Sequence, residues 1–239
     1  AAGFAATHGI TKLYVSNSQG DDITVIDLAT WRVIGDVTVG EHVHGLFAPS
    51  YGRRLLTTIE SEDNLKLIDT PTDKFFKQIA LTGRPNQCAS TPDGRYVGVP
   101  IRNGNAVDII DMAKNKVVKV LPVQKPHNCY NADSNLEMFV SSMGSHEIDL
   151  IDLNKMAYSE RIPVGGIPRP YAASKDGKRL YVALTDFYGF VTSSIPDRKV
   201  VERVDLPPAP SSACSLEPPT PTQRLQLSPS ATGRGVTRR

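Results

Sequence analysis

The sequence predicts an all-β fold built from repeated four-stranded antiparallel units, and three observations carry that prediction. A motif recurs at a period of about 42 residues, apolar residues alternate in the two-residue rhythm of strands, and glycine-bearing turns punctuate the repeats. No apolar 3.6-residue period runs longer than about one helical turn.

Four stretches superpose: Tyr14-Val15-Ser16-Asn17, Leu55-Leu56-Thr57-Thr58, Phe139-Val140-Ser141-Ser142 and Tyr181-Val182-Ala183-Leu184, with Arg95–Pro100 filling the remaining place. About ten residues later, four of the units reach an Ile-Asp pair: Ile26-Asp27, Ile68-Asp69, Ile110-Asp111 and Ile151-Asp152, with Asp spacings of 42, 42 and 41. The fifth unit carries Ser193-Ser194 there, which predicts a decaying copy.

Within one unit the strands follow in order. A segment such as Val43–Pro49 comes first, then a turn at Ser50-Tyr51-Gly52, Pro92-Asp93-Gly94 or Lys175-Asp176-Gly177, where Gly supplies the positive φ that a tight turn demands. A β-branched and aromatic run follows, then a polar loop and an alternating strand such as Ile23-Thr24-Val25-Ile26. Trp31–Val39 closes the unit in the same alternation, and Trp31 is expected to pack between units. Four antiparallel strands per unit, repeated, are the blades of a β-propeller. The Asp of each Ile-Asp pair is expected to cap its own turn rather than to bind calcium.

The segments YVSNSQGDDITVIDLAT, PDGRYV and KDGKRLYV, with the recurring IDLAT, IDTPT, IDMAK and IDLNK, resemble the YVTN-type β-propeller repeat over about residues 1–206. That family is found in surface and periplasmic proteins, with relatives among lactonase-like and haem-d1-type propellers. The resemblance therefore implies a periplasmic or extracellular location. It is specific for fold and weak for function, because one scaffold hosts unrelated activities.

Composition bounds the remainder. The chain has 239 residues, of which 40% are apolar and 22% charged, a globular make-up. No run of 18 apolar residues exists, so no membrane span is predicted. The formal charge is +2, but residues 207–239 hold Arg224, Arg234, Arg238 and Arg239 against Glu217, a net of +3, which leaves −1 for the rest. A basic balance confined to a tail makes no case for nucleic acid. Cys88, Cys129 and Cys214 match neither a disulfide framework nor a zinc-finger spacing. The opening AAGFAATHG lacks Met and a basic-then-apolar leader, as expected of a mature form or a fragment.

Two regions follow: a propeller of about five recognisable blades over residues 1–206, and a tail over 207–239 with seven Pro in 33 residues. The tail reads either as disorder or as the truncated end of a further blade. On the second reading the ring is incomplete, two blade faces stay open, and a homodimer is expected to cover them.

Aligning the repeats places Ala2, His44, Asn86, His127 and Arg169 at one level of the innermost strands. Two residues further, and so expected on the same face, come Phe4, Leu46, Cys88, Cys129 and Tyr171. A loop position contributes Ser18, Glu60, Arg102, Met143 and Thr185. One chemical reading is a divalent metal such as zinc held by His44, His127 and Cys129, with His42 as a further ligand. Glu60 would be the general base with Arg102 its partner, and Arg169, Asn86, Arg102 and Tyr171 would bind substrate. A metal-dependent hydrolase of esters, lactones or phosphoesters would use such a site. The bland reading makes the imidazoles hydrogen-bonding partners of nearby backbone and the thiols small apolar filler. The function expected on balance is a ligand- or partner-binding propeller acting through its central channel mouth, for a small molecule or a protein.

Overall fold

The structure is a computed structural model that describes residues 2–7, 10–49, 52–131, 134, 136–174 and 176–207. The predicted tail from residue 208 onward, with Cys214, lies outside the described residues, as do the side chains of Ala2 and Phe4. The fold is all-β, with no helix among the described residues, and so none long and apolar enough to cross a membrane.

Twenty strands make five four-stranded antiparallel sheets. Blade 1 is β1 (Ala2–Thr7), β2 (Ile10–Ser16), β3 (Asp22–Asp27) and β4 (Arg32–Thr38). Blade 2 is β5 (Val43–Phe47), β6 (Arg54–Ile59), β7 (Asn64–Asp69) and β8 (Lys74–Ala80). Blade 3 is β9 (Ala89–Ser90), β10 (Tyr96–Ile101), β11 (Ala106–Asp111) and β12 (Lys116–Pro122). Blade 4 is β13 (Pro126–Tyr130), β14 (Glu137–Ser142), β15 (Glu147–Asp152) and β16 (Ala157–Pro163). Blade 5 is β17 (Pro168–Ala173), β18 (Arg179–Leu184), β19 (Gly189–Ser194) and β20 (Lys199–Asp205). In each blade the strands pair in sequence order, inner to outer, as in a meander.

Alternation in these strands serves two faces. Ile23 and Val25 of blade 1 join Val43, Leu55 and Ile68 of blade 2 in one apolar cluster, while Leu56, Leu65 and Leu67 turn the other face of blade 2 to Val97, Val99 and Ile110 of blade 3. Val107 and Ile109 meet Met138 and Val140, and Phe139, Ile148 and Leu150 meet Leu180, Val182 and Val191. Every position of β11 in the middle blade is buried. In β18 of the fifth blade exposed and buried positions alternate through the strand's first four residues. Among the described residues the first and fifth blades share no such cluster. Tyr181 of β18 is 41% exposed.

The turn between the third and fourth strands of every blade has one built-in geometry. Trp31, Asp73, Asn115, Met156 and Arg198, at spacings of 42, 42, 41 and 42, all adopt φ between 51° and 56°. That geometry sends the Trp31 side chain to solvent, 74% exposed, so the expected packing between units is not what it does. The preceding acid caps the turn as expected: Asp27 accepts from the Ala29 N–H at 2.9 Å, Asp111 from Ala113 at 3.0 Å and Asp152 from Asn154 at 2.9 Å. In the fifth unit Ser194 takes over, its hydroxyl accepting from the Asp197 N–H at 3.2 Å, and β19 pairs with β20 with the same one-residue shift as in the other blades. The expectation of a decaying copy is therefore corrected: Pro196 has no N–H to cap two residues on, and the hydroxyl takes the N–H three residues on, as Asp152 also does with Lys155. The Gly turns stand as read, with Gly52, Gly94 and Gly177 at φ 72°, 69° and 67°.

Polar ties add to the packing. Lys12 Nζ and Tyr14 Oη both reach the Asp73 carboxylate at 2.6 Å, fastening blade 1 to the outer turn of blade 2. Burial, then the Asp73 bond, pushes the Tyr14 hydroxyl far above its ordinary pKa, so it stays a donor.

Ile109→Ala is expected to cost about 2–5 kcal/mol in urea unfolding, as for a buried methyl-to-cavity change, because Ile109 is fully enclosed. Tyr181→Ser, at an exposed position of β18, is expected to cost under about 1 kcal/mol. Equal losses at the two positions would show that the fifth blade's face is covered in solution.

Candidate functional site

The inner strands of blades 2 to 5, but not β1, carry a bulge that decides which side chains face the channel. Val43 pairs with Ile59 and Leu46 with Thr57, so three steps on β5 match two on β6. The same extra residue lies between Pro126 and Cys129 on β13, between Pro168 and Tyr171 on β17, and between the Pro85–Ile101 bridge and the Ala89–Gly98 pair in blade 3. A bulge frees backbone groups from the ladder. The hydroxyls of the second strand satisfy them: Thr58 Oγ1 accepts from the Gly45 N–H at 2.8 Å, Thr57 Oγ1 donates to the Gly45 carbonyl at 2.9 Å, and Ser141 Oγ accepts from the Asn128 N–H at 2.8 Å. Gly45 has to be glycine, since a Cβ there would lie 2.5 Å from Thr58 Oγ1 and 2.8 Å from the Asn86 carbonyl oxygen.

The extra residue turns the two predicted rings in different directions, so they do not share a face as expected. Leu46, Cys88, Cys129 and Tyr171 go into the cores between blades. Cys88 and Cys129 are free, buried thiols, and burial pushes the Cys88 pKa up to about 12 and that of Cys129 higher still. Tyr171 donates its hydroxyl to the Phe139 carbonyl at 2.6 Å and stacks edge-on against Tyr130.

His44, His127 and Arg169 remain at the channel side and meet the loop residues. Glu60, 8% exposed, is the centre of this cluster. Its Oε2 accepts from Arg84 Nη2 at 2.6 Å and from Nε at 3.1 Å. Its Oε1 has no hydrogen-bond partner; Arg102 Nη1 stands 3.7 Å away and His44 Nε2 3.8 Å. The expected partner of Glu60, Arg102, is thus its second neighbour, and Arg84 is the first. Sequence reasoning passed over Arg84, although the repeat places it 42 residues after His42, at the entry to its blade.

His127 Nδ1 bonds the Oδ1 of Asn128, whose Nδ2 in turn donates to Gln87 Oε1 at 2.6 Å. A carbonyl oxygen only accepts, so Nδ1 carries the proton and Nε2 keeps its lone pair. Burial lowers the pKa of His127, with further lowering by Arg169, His44 and Arg102; burial also lowers that of His44 despite Glu60. Both imidazoles are therefore neutral at pH 7. Among the described residues no carboxylate lies within ion-pair distance of Arg169.

Two other predicted residues lie apart. Asn86 is 1% exposed, its N–H bonded to the Pro100 carbonyl and its Oδ1 without a partner. His42 opens onto a cleft of about 260 Å³ with Gln19, Asp21 and Glu41. Its backbone carbonyl accepts the Glu60 N–H at 3.2 Å. The four nominated metal ligands are thus spread over a blade core, a side cleft and the mouth. Among the described residues no three His, Cys, Asp or Glu side chains converge as metal ligands.

Comparison with known proteins supports the fold. No protein-family profile matches the chain. Antigen Lp49 of Leptospira interrogans is 26% identical over 194 residues, which is 76% of this chain and 42% of the antigen. Among solved structures, dihydro-haem d1 dehydrogenase NirN in complex with DHE superposes with a TM-score of 0.70 at 17% identity, over 82% of this chain and 44% of that one. The β-propeller domain of Cps50 (Swd1) from Myceliophteria thermophila superposes with a TM-score of 0.67 at 16% identity, over 79% of this chain and 62% of that one. The chain spans less than half of the antigen and of the dehydrogenase. Its architecture is that of a β-propeller.

The lowered imidazole pKa values fix a sign for the effect of acid. The unfolded chain, with His at 6.5, takes up these protons before the folded one does, so stability falls as pH drops below 6.5 towards the folded values. The thermal midpoint of a His44→Gln/His127→Gln variant is expected to fall by about 2–4 °C less than that of the parent between pH 7 and pH 5.5. Parallel curves would show that neither imidazole is neutral by burial.

Proposed function

We propose that the chain is the binding part of a YVTN-type propeller and takes a small anionic ligand at the mouth formed by Arg102, Arg169, His44 and His127. The observation that carries this is a charge imbalance in a sheltered place. Arg84, Arg102 and Arg169 bring three positive charges to the mouth and Glu60 one negative, a net of +2 beside two neutral imidazoles. Glu60 commits its hydrogen bonds to Arg84, which leaves Arg102 only at ion-pair distance, and among the described residues no carboxylate pairs with Arg169. Planar guanidinium forks suit carboxylate or phosphate groups, and His127 Nε2 accepts a proton-bearing ligand atom beside them. On this reading Glu60 is the counter-ion that lets three arginines share one site, and it is not a base.

The neighbour solved in complex with DHE supports a small-molecule ligand on this scaffold in general. A periplasmic or extracellular location is supported by the repeat resemblance and by the antigen relative. The reading includes a homodimer in which a second copy covers faces of the first and fifth blades. Sedimentation equilibrium giving twice the 26.0 kDa of the chain supports it, and a monomer at all concentrations removes it.

Calorimetric titration with citrate and with inorganic phosphate tests the mouth, with glycerol as the neutral control. Arg102→Met and Arg169→Met are each expected to weaken citrate binding about 10-fold, the loss of one charge-assisted hydrogen bond. Glu60→Gln is expected to bind it as tightly or more tightly. Loss of binding in Glu60→Gln, or none in the parent, overturns the reading. One equivalent of zinc that disappears in His44→Ala/His127→Ala, together with hydrolysis of p-nitrophenyl acetate, would establish the metal-dependent hydrolase instead.

A further inference from the structure

A second site lies between blades 3 and 4, independent of the channel mouth, and the repeat exposes it by comparison. Asp108 on β11 is fully buried and satisfied: the Thr82 N–H donates to it at 2.8 Å and the Thr82 hydroxyl at 2.7 Å. One repeat later the same position is Asp149 on β15, and the residue matching Thr82 is Gln124. Asp149 is 4% exposed, yet its Oδ1 has no hydrogen-bond partner. In place of the threonine cap there is a cleft of about 680 Å³, lined by Asp149, Arg161, Lys125, Gln124 and Ser145 among others.

The walls of this cleft are firmly held. The Gln124 carbonyl accepts from Ser142 Oγ and from the Gly144 N–H, both at 3.0 Å, and the Lys125 N–H donates to Asn105 Oδ1 at 3.0 Å. Arg161 Nε stands 3.3 Å from Asp149 Oδ1 without hydrogen-bond alignment, and its Nη1 lies 3.9 Å from Glu147. Among the described residues no carboxylate reaches the Lys125 ammonium. A buried carboxylate with one oxygen lacking a donor therefore sits beside two exposed cations, Arg161 and Lys125, the second without a carboxylate among the described residues.

We propose that this cleft binds a free α-amino acid as its zwitterion. The ammonium supplies to Asp149 the paired donors that Thr82 supplies to Asp108, and the carboxylate is taken by Lys125 and Arg161. A bare cation would meet a net positive lining, and a bare anion would meet the buried acid, so only a ligand carrying both charges matches both halves. Burial raises the Asp149 pKa to about 6, with Arg161 opposing and Glu147 reinforcing the shift. The other groups that face it are Tyr158 on β16 and Lys125 across the cleft. The ammonium contact is consequently lost as pH falls through about 6.

The test is the thermal midpoint of the full chain at pH 7.5 with an equimolar pool of the twenty amino acids, against matched pools of their N-acetyl and carboxamide derivatives. The free pool is expected to raise the midpoint about 2–4 °C further than the N-acetyl pool, whose carboxylates reach only the mouth, and the carboxamide pool to leave it in place. Asp149→Asn should abolish this difference and Lys125→Met should halve it or more, each judged against its own ligand-free midpoint, with circular dichroism confirming the sheet. Arg169→Met, at the mouth, should keep the difference between the free and the N-acetyl pools. At pH 5 the difference should vanish. No rise with the free pool, a difference kept by Asp149→Asn, or an equal rise with the N-acetyl pool overturns the proposal, as does stabilisation by a monosaccharide pool in its place.

Discussion

Everything in this molecule depends on blades that are apolar on both faces. A single four-stranded sheet of this composition exposes too much apolar surface to persist in water, so each blade needs a neighbour on each side. Four apolar clusters tie five blades into a row, and they account for the fully buried β11 and the half-exposed β18. The inner strands lie side by side because the blades are stacked in this way. The candidate site is therefore a consequence of packing between blades and of no single blade.

On that scaffold the repeated inner-strand bulge does the positioning. Without it, His127 and Cys129 would share a face and so would Arg169 and Tyr171. With it, the imidazole and guanidinium turn to the channel while the thiol and phenol enter the core. Threonine and serine hydroxyls on the neighbouring strand keep the bulge from costing unsatisfied backbone groups. One recurring local device thus turns His44, His127 and Arg169 of three blades towards the channel.

Charge then divides the polar positions into two kinds of place. At the mouth, one buried carboxylate pairs with Arg84 and Arg102 and leaves a positive balance, whereas between blades 3 and 4 one buried carboxylate has lost the cap its neighbour keeps. Both are departures from what a merely structural repeat would select, because unpaired buried polar groups are costly unless something else satisfies them.

The sequence by itself determined the repeat, the four strands of each unit, the Asp-capped and Gly-bearing turns, and the level of His44, His127 and Arg169. All of these are read from spacing and local chemistry, which act within about a dozen residues. Only the tertiary structure decided that Arg84 rather than Arg102 is the first partner of Glu60, that Trp31 faces solvent, that Cys129 and Tyr171 leave the channel, and that Asp149 lacks the cap Asp108 has. The physical reason is common to the four. A bulge shifts a face by one residue without altering composition, a positive φ redirects a side chain without altering the pattern, and a contact between blades joins residues some 24 to 26 positions apart that no local period relates.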